Sequence, residues 1–159
     1  MKIAIVDDQE KDRDELKNVL IPYLNTLDLE TDLCEYESAE DFLGVFEKDE
    51  FDICFMDIYL KKMDGMTAAR HLADQDPNCF IIFLTTSPDY MAEGYDVRAW
   101  RYIVKPLQKD MIHKILGPCL EQIVLALSSC KIGQTGAGHS LFQNLLYYYF
   151  MPKHHHTYE

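Results

Sequence analysis

Four side chains at the ends of apolar runs carry the chemistry this chain can do. Asp7 and Asp8 follow Lys2-Ile3-Ala4-Ile5-Val6, Asp57 closes the run that begins at Phe51, and Lys105, itself followed by Pro106, closes Tyr102-Ile103-Val104. Short apolar runs of this kind suit buried parallel strands. If they lie parallel in one sheet, the acids and the lysine meet at one edge. Three carboxylates at close range repel unless a cation joins them, and a divalent metal with oxygen ligands is the natural partner. The lysine adds a point charge suited to an anion such as phosphate. A carboxylate is a weak nucleophile, but it accepts a phosphoryl group when the charge on the transferred oxygens is neutralised.

The elements that must position these residues alternate. Leu16, Val19, Leu20, Tyr23 and Leu24 recur at helical spacing after the first strand, and Asp7, Asp8, Asp12 and Asp14 precede or open that helix, where negative charge is favoured. Thr31 to Tyr36 reads as a less apolar strand at an edge. Ser38 is an N-cap for a helix through Phe42, Leu43 and Phe46, with Asp41 placed as in a capping box. Phe51 to Met56 is the third strand, Asp64-Gly65 a turn, and Met66 to Leu72 a helix. Phe80 to Leu84 is the fourth strand, ending in Thr85-Thr86-Ser87; Pro88 suits the first turn of a helix to about Asp96. Trp100 to Val104 is the fifth strand. A last apolar stripe runs from Ile112 to Leu127, and Gly117-Pro118 within it predicts a kink or a second helix opened by Pro118.

Serial βα units imply a parallel sheet covered on both faces, an α/β three-layer sandwich. In the flavodoxin-like (βα)5 order 2-1-3-4-5, strands one and three are central neighbours, and ligands bind beyond their carboxyl ends at the switch point. Those are the strands that end in Asp7-Asp8 and Asp57.

The 159 residues suffice for one sizeable domain, and 48% apolar content supports a packed core. A net charge of -12 argues against strong duplex binding by this chain alone. Cys34, Cys54, Cys79, Cys119 and Cys130 lack metal-like spacing and read as reduced cytoplasmic thiols. No signal peptide opens the chain and no apolar stretch spans a bilayer, so no membrane partner is expected. The character changes after Ser128: of the charged residues, only Lys131, Lys153 and Glu159 follow it. Residues 1–128 are expected to form the main domain, and 129–159 a linker with one or two strands.

With these residues assembled, the chain resembles the receiver domains of two-component response regulators (CheY-like). The resemblance covers about residues 1 to 125 and rests on Asp7-Asp8, Asp57, Met63-Asp64-Gly65, Thr85, Tyr102 and Lys105-Pro106 in order. It implies that Asp57 is the phosphoacceptor for a phosphohistidine on a sensor histidine kinase. Asp7, Asp8, Asp57 and the backbone carbonyl of Tyr59 would hold Mg2+. Thr85 would donate its hydroxyl to a phosphoryl oxygen, Lys105 would pair with Asp57 and then with the phosphoryl group, and the Lys105-Pro106 bond would be cis. Thr85 and Tyr102 would act as the switch, remodelling the surface around the fourth helix and fifth strand. A homodimer through the fourth helix, fifth strand and fifth helix is implied in the same way. The bland readings are a helix-capping Thr85 and a static, half-buried Tyr102.

The chain departs from the family pattern in the loop after Asp57. Lys61 stands where the family usually has proline, which leaves the loop freer. Lys61 and Lys62 put two cations near the site, and Tyr59 is bulky enough to shield an acyl phosphate from water. A second resemblance lies in the tail. Ile132 to Tyr158, with Leu145-Leu146-Tyr147-Tyr148-Tyr149, is similar to the start of a LytTR-type DNA-binding domain, as in LytR-like transcriptional regulators. Too few residues remain for the whole domain, so DNA contact is expected only through a complete output domain. His154, His155 and His156 are adjacent in a tail and do not form a metal site by spacing. Two other functions are consistent with parts of this pattern. One is a Mg2+-dependent phosphohydrolase with an aspartyl intermediate, although such enzymes usually place Asp-x-Asp after the first strand. The other is a stand-alone receiver acting by protein contacts. The leading expectation is a phosphorylation switch controlling transcription, with no turnover beyond its own phosphotransfer and dephosphorylation.

Overall fold

The fold is that of a computed structural model, described over residues 1–27, 29–86 and 99–130, with side chains to residue 125. The helix expected over 88–96 and the tail beyond 130, with its LytTR-like run and His154 to His156, lie outside the described residues.

In chain order the elements are β1 (Lys2–Val6), α1 (Glu10–Thr26), β2 (Asp32–Tyr36), α2 (Ala39–Val45), β3 (Ile53–Asp57), α3 (Gly65–Gln75), β4 (Phe80–Thr85), β5 (Arg101–Val104) and α4 (Lys109–Cys130). All strand pairs are parallel and the sheet order is β2-β1-β3-β4-β5. This is the flavodoxin-like arrangement expected from the strand-helix alternation. β2 forms one edge, in keeping with its weaker apolar character.

Side-chain alternation along the strands divides the interior into two layers. Ile3, Ile5, Ile53, Phe55, Ile82, Leu84 and Ile103 face α1 and α4, where Leu16, Leu20, Ile112, Leu116 and Leu120 close over them. Ala4, Val6, Cys54, Met56, Ile81 and Phe83 point the other way, against Phe42 of α2 and Met66, Ala69 and Leu72 of α3. β3 is buried at every position, so its sequence shows no polar face.

Local chemistry sets the helix starts. Ser38 accepts from the Asp41 amide at 3.1 Å and donates its hydroxyl to the Asp41 carboxylate at 2.7 Å, so the expected cap is formed. Asp64 accepts from the amide and hydroxyl of Thr67 at 2.9 and 2.8 Å and opens α3 one residue earlier than its apolar stripe indicates. Pro118 does not open a second helix. α4 runs through it from Lys109 to Cys130, and Leu116, Cys119 and Leu120 on either side stay buried against the sheet. Packing of that stripe outweighs the lost backbone bond. α1 likewise contains Pro22.

Gly65 is required by a close approach. A methyl group built on it would lie 2.0 Å from the Asp57 carbonyl oxygen, and the Gly65 amide donates to the Ile58 carbonyl at 3.0 Å. The first turn of α3 is thereby pressed onto the end of β3. Gly65→Ala is expected to cost about 1–3 kcal/mol, the range for overpacking. Gly44→Ala in α2, where an added methyl meets nothing within 4 Å, is expected to gain about 0.5–1 kcal/mol. Urea melts of the two variants check the contrast; equal effects would refute the close-approach argument.

Candidate functional site

The sheet brings the strand-terminal acids to one place. β1 and β3 pair from Ile3 with Ile53 to Val6 with Met56, so Asp7 and Asp57 leave adjacent strands at the same level. One carboxylate oxygen from each of Asp7, Asp8 and Asp57 lies within 4.8 Å of the others. Asp7 is fully buried, Asp57 is 6% exposed, and Asp8 faces solvent in part.

Each carboxylate is held by a turn of its own strand end. The Gln9 amide donates to Asp7 Oδ1 at 2.8 Å, and the Tyr59 amide donates to Asp57 Oδ1 at 3.1 Å. Both are bonds from an aspartate to the amide two residues on, which fix the side chain against its own loop. The Gln9 side chain donates to Asp8 Oδ1 at 2.9 Å.

Lys105 reaches across from the end of β5. Its amide donates to the Thr85 carbonyl at 2.7 Å, and the Lys105-Pro106 peptide is cis. Its Nζ lies 2.8 Å from Asp7 Oδ2, 3.3 Å from Asp57 Oδ2 and 2.5 Å from Asp12 Oδ2. Burial works against the ammonium charge, but hydrogen bonds to Asp12 and Asp7 and the nearby Asp57 charge outweigh it and hold Lys105 well above the ordinary lysine range. Burial raises the Asp7 carboxyl above its usual value, and the bonds from Lys105 and the Gln9 amide offset only part of that rise. Burial acts on Asp8 in the same direction, but there the hydrogen bonds from Gln9 and Lys61 prevail and its pKa is lowered.

The other residues singled out in the sequence lie around this cluster. Thr85 is fully buried at the end of β4, one position beyond Leu84, the register partner of Asp57. Tyr102 is half-buried on β5, its ring centroid 5.0 Å from that of Phe83 and its hydroxyl 3.9 Å from the Met66 sulfur. Tyr59 is 45% exposed beside Asp57. Lys61, four residues past Asp57, places its ammonium 3.0 Å from Asp8 Oδ2.

Two contributors escaped the sequence reading. Asp12, taken there as helix-start charge, is a direct partner of Lys105. Arg13 is 7% exposed and donates to the Asp7 carbonyl at 2.7 Å while pairing with Glu35 and Glu37. The available signals were spacing: Asp12 stands four residues after Asp8, and Arg13 falls three and seven residues before Leu16 and Leu20, on the buried stripe.

Among the described side chains, the cysteines contribute nothing to this chemistry. Burial pushes the thiols of Cys54, Cys79 and Cys119 far up, and Cys34, Cys54, Cys79 and Cys119 are free of disulfides. Among the described residues, no helix is long and apolar enough to cross a membrane.

The donor set suits a hard divalent cation: carboxylate oxygens only, with a partly exposed Asp8 leaving room for retained water.

Comparison with known proteins agrees with this geometry. The chain is 31% identical over 114 residues to the sensory transduction protein LytR of Staphylococcus epidermidis, covering 72% of this chain and 44% of that protein. It is 33% identical over 116 residues to the sensory transduction protein LytT of Bacillus anthracis, covering 73% of this chain and 46% of that one. The chain thus spans less than half the length of these curated relatives. Among solved structures, the response regulator DrrB of Thermotoga maritima, an OmpR/PhoB homolog, superposes with a TM-score of 0.62 at 27% identity over 77% of this chain and 53% of that one. Residues 3–117 match the response regulator receiver domain family. The chain therefore belongs to the receiver domains of two-component response regulators, as its strand-terminal acids and lysine imply.

Proposed function

We propose that this receiver accepts a phosphoryl group on Asp57 from a histidine kinase, with Mg2+ bound by Asp7, Asp8, Asp57 and the Tyr59 carbonyl, and that phosphorylation controls a transcriptional output. The observation that carries the reading is the convergence of three carboxylates within 4.8 Å, with the Lys105 ammonium 3.3 Å from Asp57.

In the transfer, an Asp57 carboxylate oxygen attacks the donor phosphorus. The bond from phosphorus to the donor nitrogen breaks, and its electron pair leaves with the imidazole. Mg2+ held by Asp7, Asp8, Asp57 and the Tyr59 carbonyl would supply positive charge to the phosphoryl oxygens. Lys105 supplies a second positive charge, already desolvated and fixed by three carboxylates. The Tyr59 amide fixes the Asp57 carboxylate against free rotation before attack. Thr85 donates its hydroxyl to the new acceptor oxygens, and its movement toward them vacates space into which half-buried Tyr102, already packed against Phe83 and Met66, turns further inward. The phosphoryl group adds roughly -1.5 to -2 charges beside the fixed Lys105 ammonium.

Transcriptional control is supported by the kinship with the transcriptional regulatory protein YpdB of Escherichia coli, which is longer than this chain. The acidic total of -12 is in keeping with an output carried outside the receiver.

Acetyl phosphate with Mg2+ is expected to label the wild-type chain stoichiometrically, with acid-stable, base-labile phosphate, and Asp57→Asn is expected to abolish the label. Multiple turnover on phosphoesters would instead support a phosphohydrolase. Tyr59→Asn is expected to shorten the lifetime of the phosphoryl group, because the large ring beside Asp57 limits the approach of water. Decay of the label after donor removal measures this, and an equal or longer lifetime in the variant would remove Tyr59 from the account.

A further inference from the structure

The loop after β3 places a second ammonium in the site. Lys61 Nζ lies 3.0 Å from Asp8 Oδ2, while its side chain is 75% exposed and that of Asp8 only 11%. Lys105 is different: its side chain is 11% exposed and it is held by three carboxylates. The cluster thus holds four carboxylates (Asp7, Asp8, Asp12 and Asp57) against two ammonium groups, one locked and one tethered by a single contact. Against Lys105 alone three negative charges remain, a surplus that favours a divalent cation. That cation and Lys61 both need Asp8.

A pair whose ammonium is largely exposed and held by one contact is readily exchanged. A divalent ion at Asp8 therefore displaces Lys61 rather than Lys105. The freed side chain cannot go far, because its backbone sits only four residues past Asp57. Its charge is then left at the mouth of the site, where an incoming phosphoryl dianion must pass. Lys62, next in the chain, is exposed and forms no ion pair among the described residues.

We propose that Lys61 is the exchangeable counterion of Asp8: it competes with the divalent metal in the resting site and, once displaced, holds the anionic phosphodonor over Asp57. The proposal rests on the reading of Asp57 as phosphoacceptor beside a metal, and it makes Lys61 a specificity-determining residue that couples metal entry to donor capture. Its signature is a pair of opposite effects. Removing the side chain relieves competition for the metal but weakens the hold on the donor.

The test is titration calorimetry of Mg2+ into wild type, Lys61→Ala and Lys62→Ala without any phosphodonor, followed by initial labelling rates over a range of acetyl phosphate at saturating Mg2+. Lys61→Ala is expected to tighten Mg2+ binding by roughly two- to fivefold, the span of an exposed ion pair, and to raise the acetyl phosphate concentration needed for half-maximal rate. Lys62→Ala is expected to do neither. Equal shifts in both variants would reduce the effect to the general field of the loop, and unchanged Mg2+ binding in Lys61→Ala would end the competition; either outcome overturns the proposal while leaving the acceptor reading intact. Wild type that binds no Mg2+, or binds it as well after Asp8→Asn, overturns the metal reading and the Lys61 proposal together.

Discussion

The ammonium of Lys105 is the charge on which the site depends. Asp7 and Asp57 leave neighbouring strands, and Asp12 approaches from the first turns of α1. Carboxylates held this close in a mostly desolvated pocket repel one another. A single side chain from β5, two strands away from β3 in the sheet, touches all three. The parallel order makes this reach available, since every strand ends at the same edge. Burial disfavours the charge on both Asp7 and Lys105, and it is their mutual contact, with Asp12 and Asp57 beside it, that keeps Lys105 firmly protonated.

The rest of the fold keeps that edge rigid. Two apolar layers grip the sheet from both faces, and the loops that carry the acids are fastened by backbone groups. Arg13 holds the Asp7 carbonyl, the Asp7 amide donates to the Tyr36 carbonyl at 3.1 Å, and Gly65 packs against the Asp57 carbonyl. Arg13 also binds Glu35 and Glu37, at and just beyond the end of edge strand β2. The edge strand with the least apolar sequence is thus pinned by charge where packing contributes less.

The strands and the four strand-terminal site residues could be read from the sequence because burial on both faces writes a continuous apolar run, and a charged residue at its end stands out. Ser38 and Asp64-Gly65 were legible as local cap and turn chemistry. Asp12 and Arg13 were not, because their partners are far away in sequence: 93 residues separate Asp12 from Lys105. A charged residue near a helix start has an ordinary local explanation, and only tertiary contact reveals the other one. The second-helix alternative at Pro118 failed for the converse reason. Its local cost is real, but a helix face already buried on both sides of it outweighs a missing backbone bond.

The sole tryptophan sits at the other end of the molecule from this chemistry. Trp100 precedes β5, packs edge-on against Phe80 at 5.1 Å, lies under the Arg101 guanidinium at 4.8 Å and donates its indole N–H toward the Ile115 carbonyl at 3.5 Å. Lys105 follows the far end of the same strand, about 16 Å away at 3.3 Å per residue. Intrinsic indole emission from this domain therefore monitors the seating of α4 on the foot of the sheet. It is remote from ions and anions arriving at the crown, so an optical report from that end calls for a fluorophore introduced there.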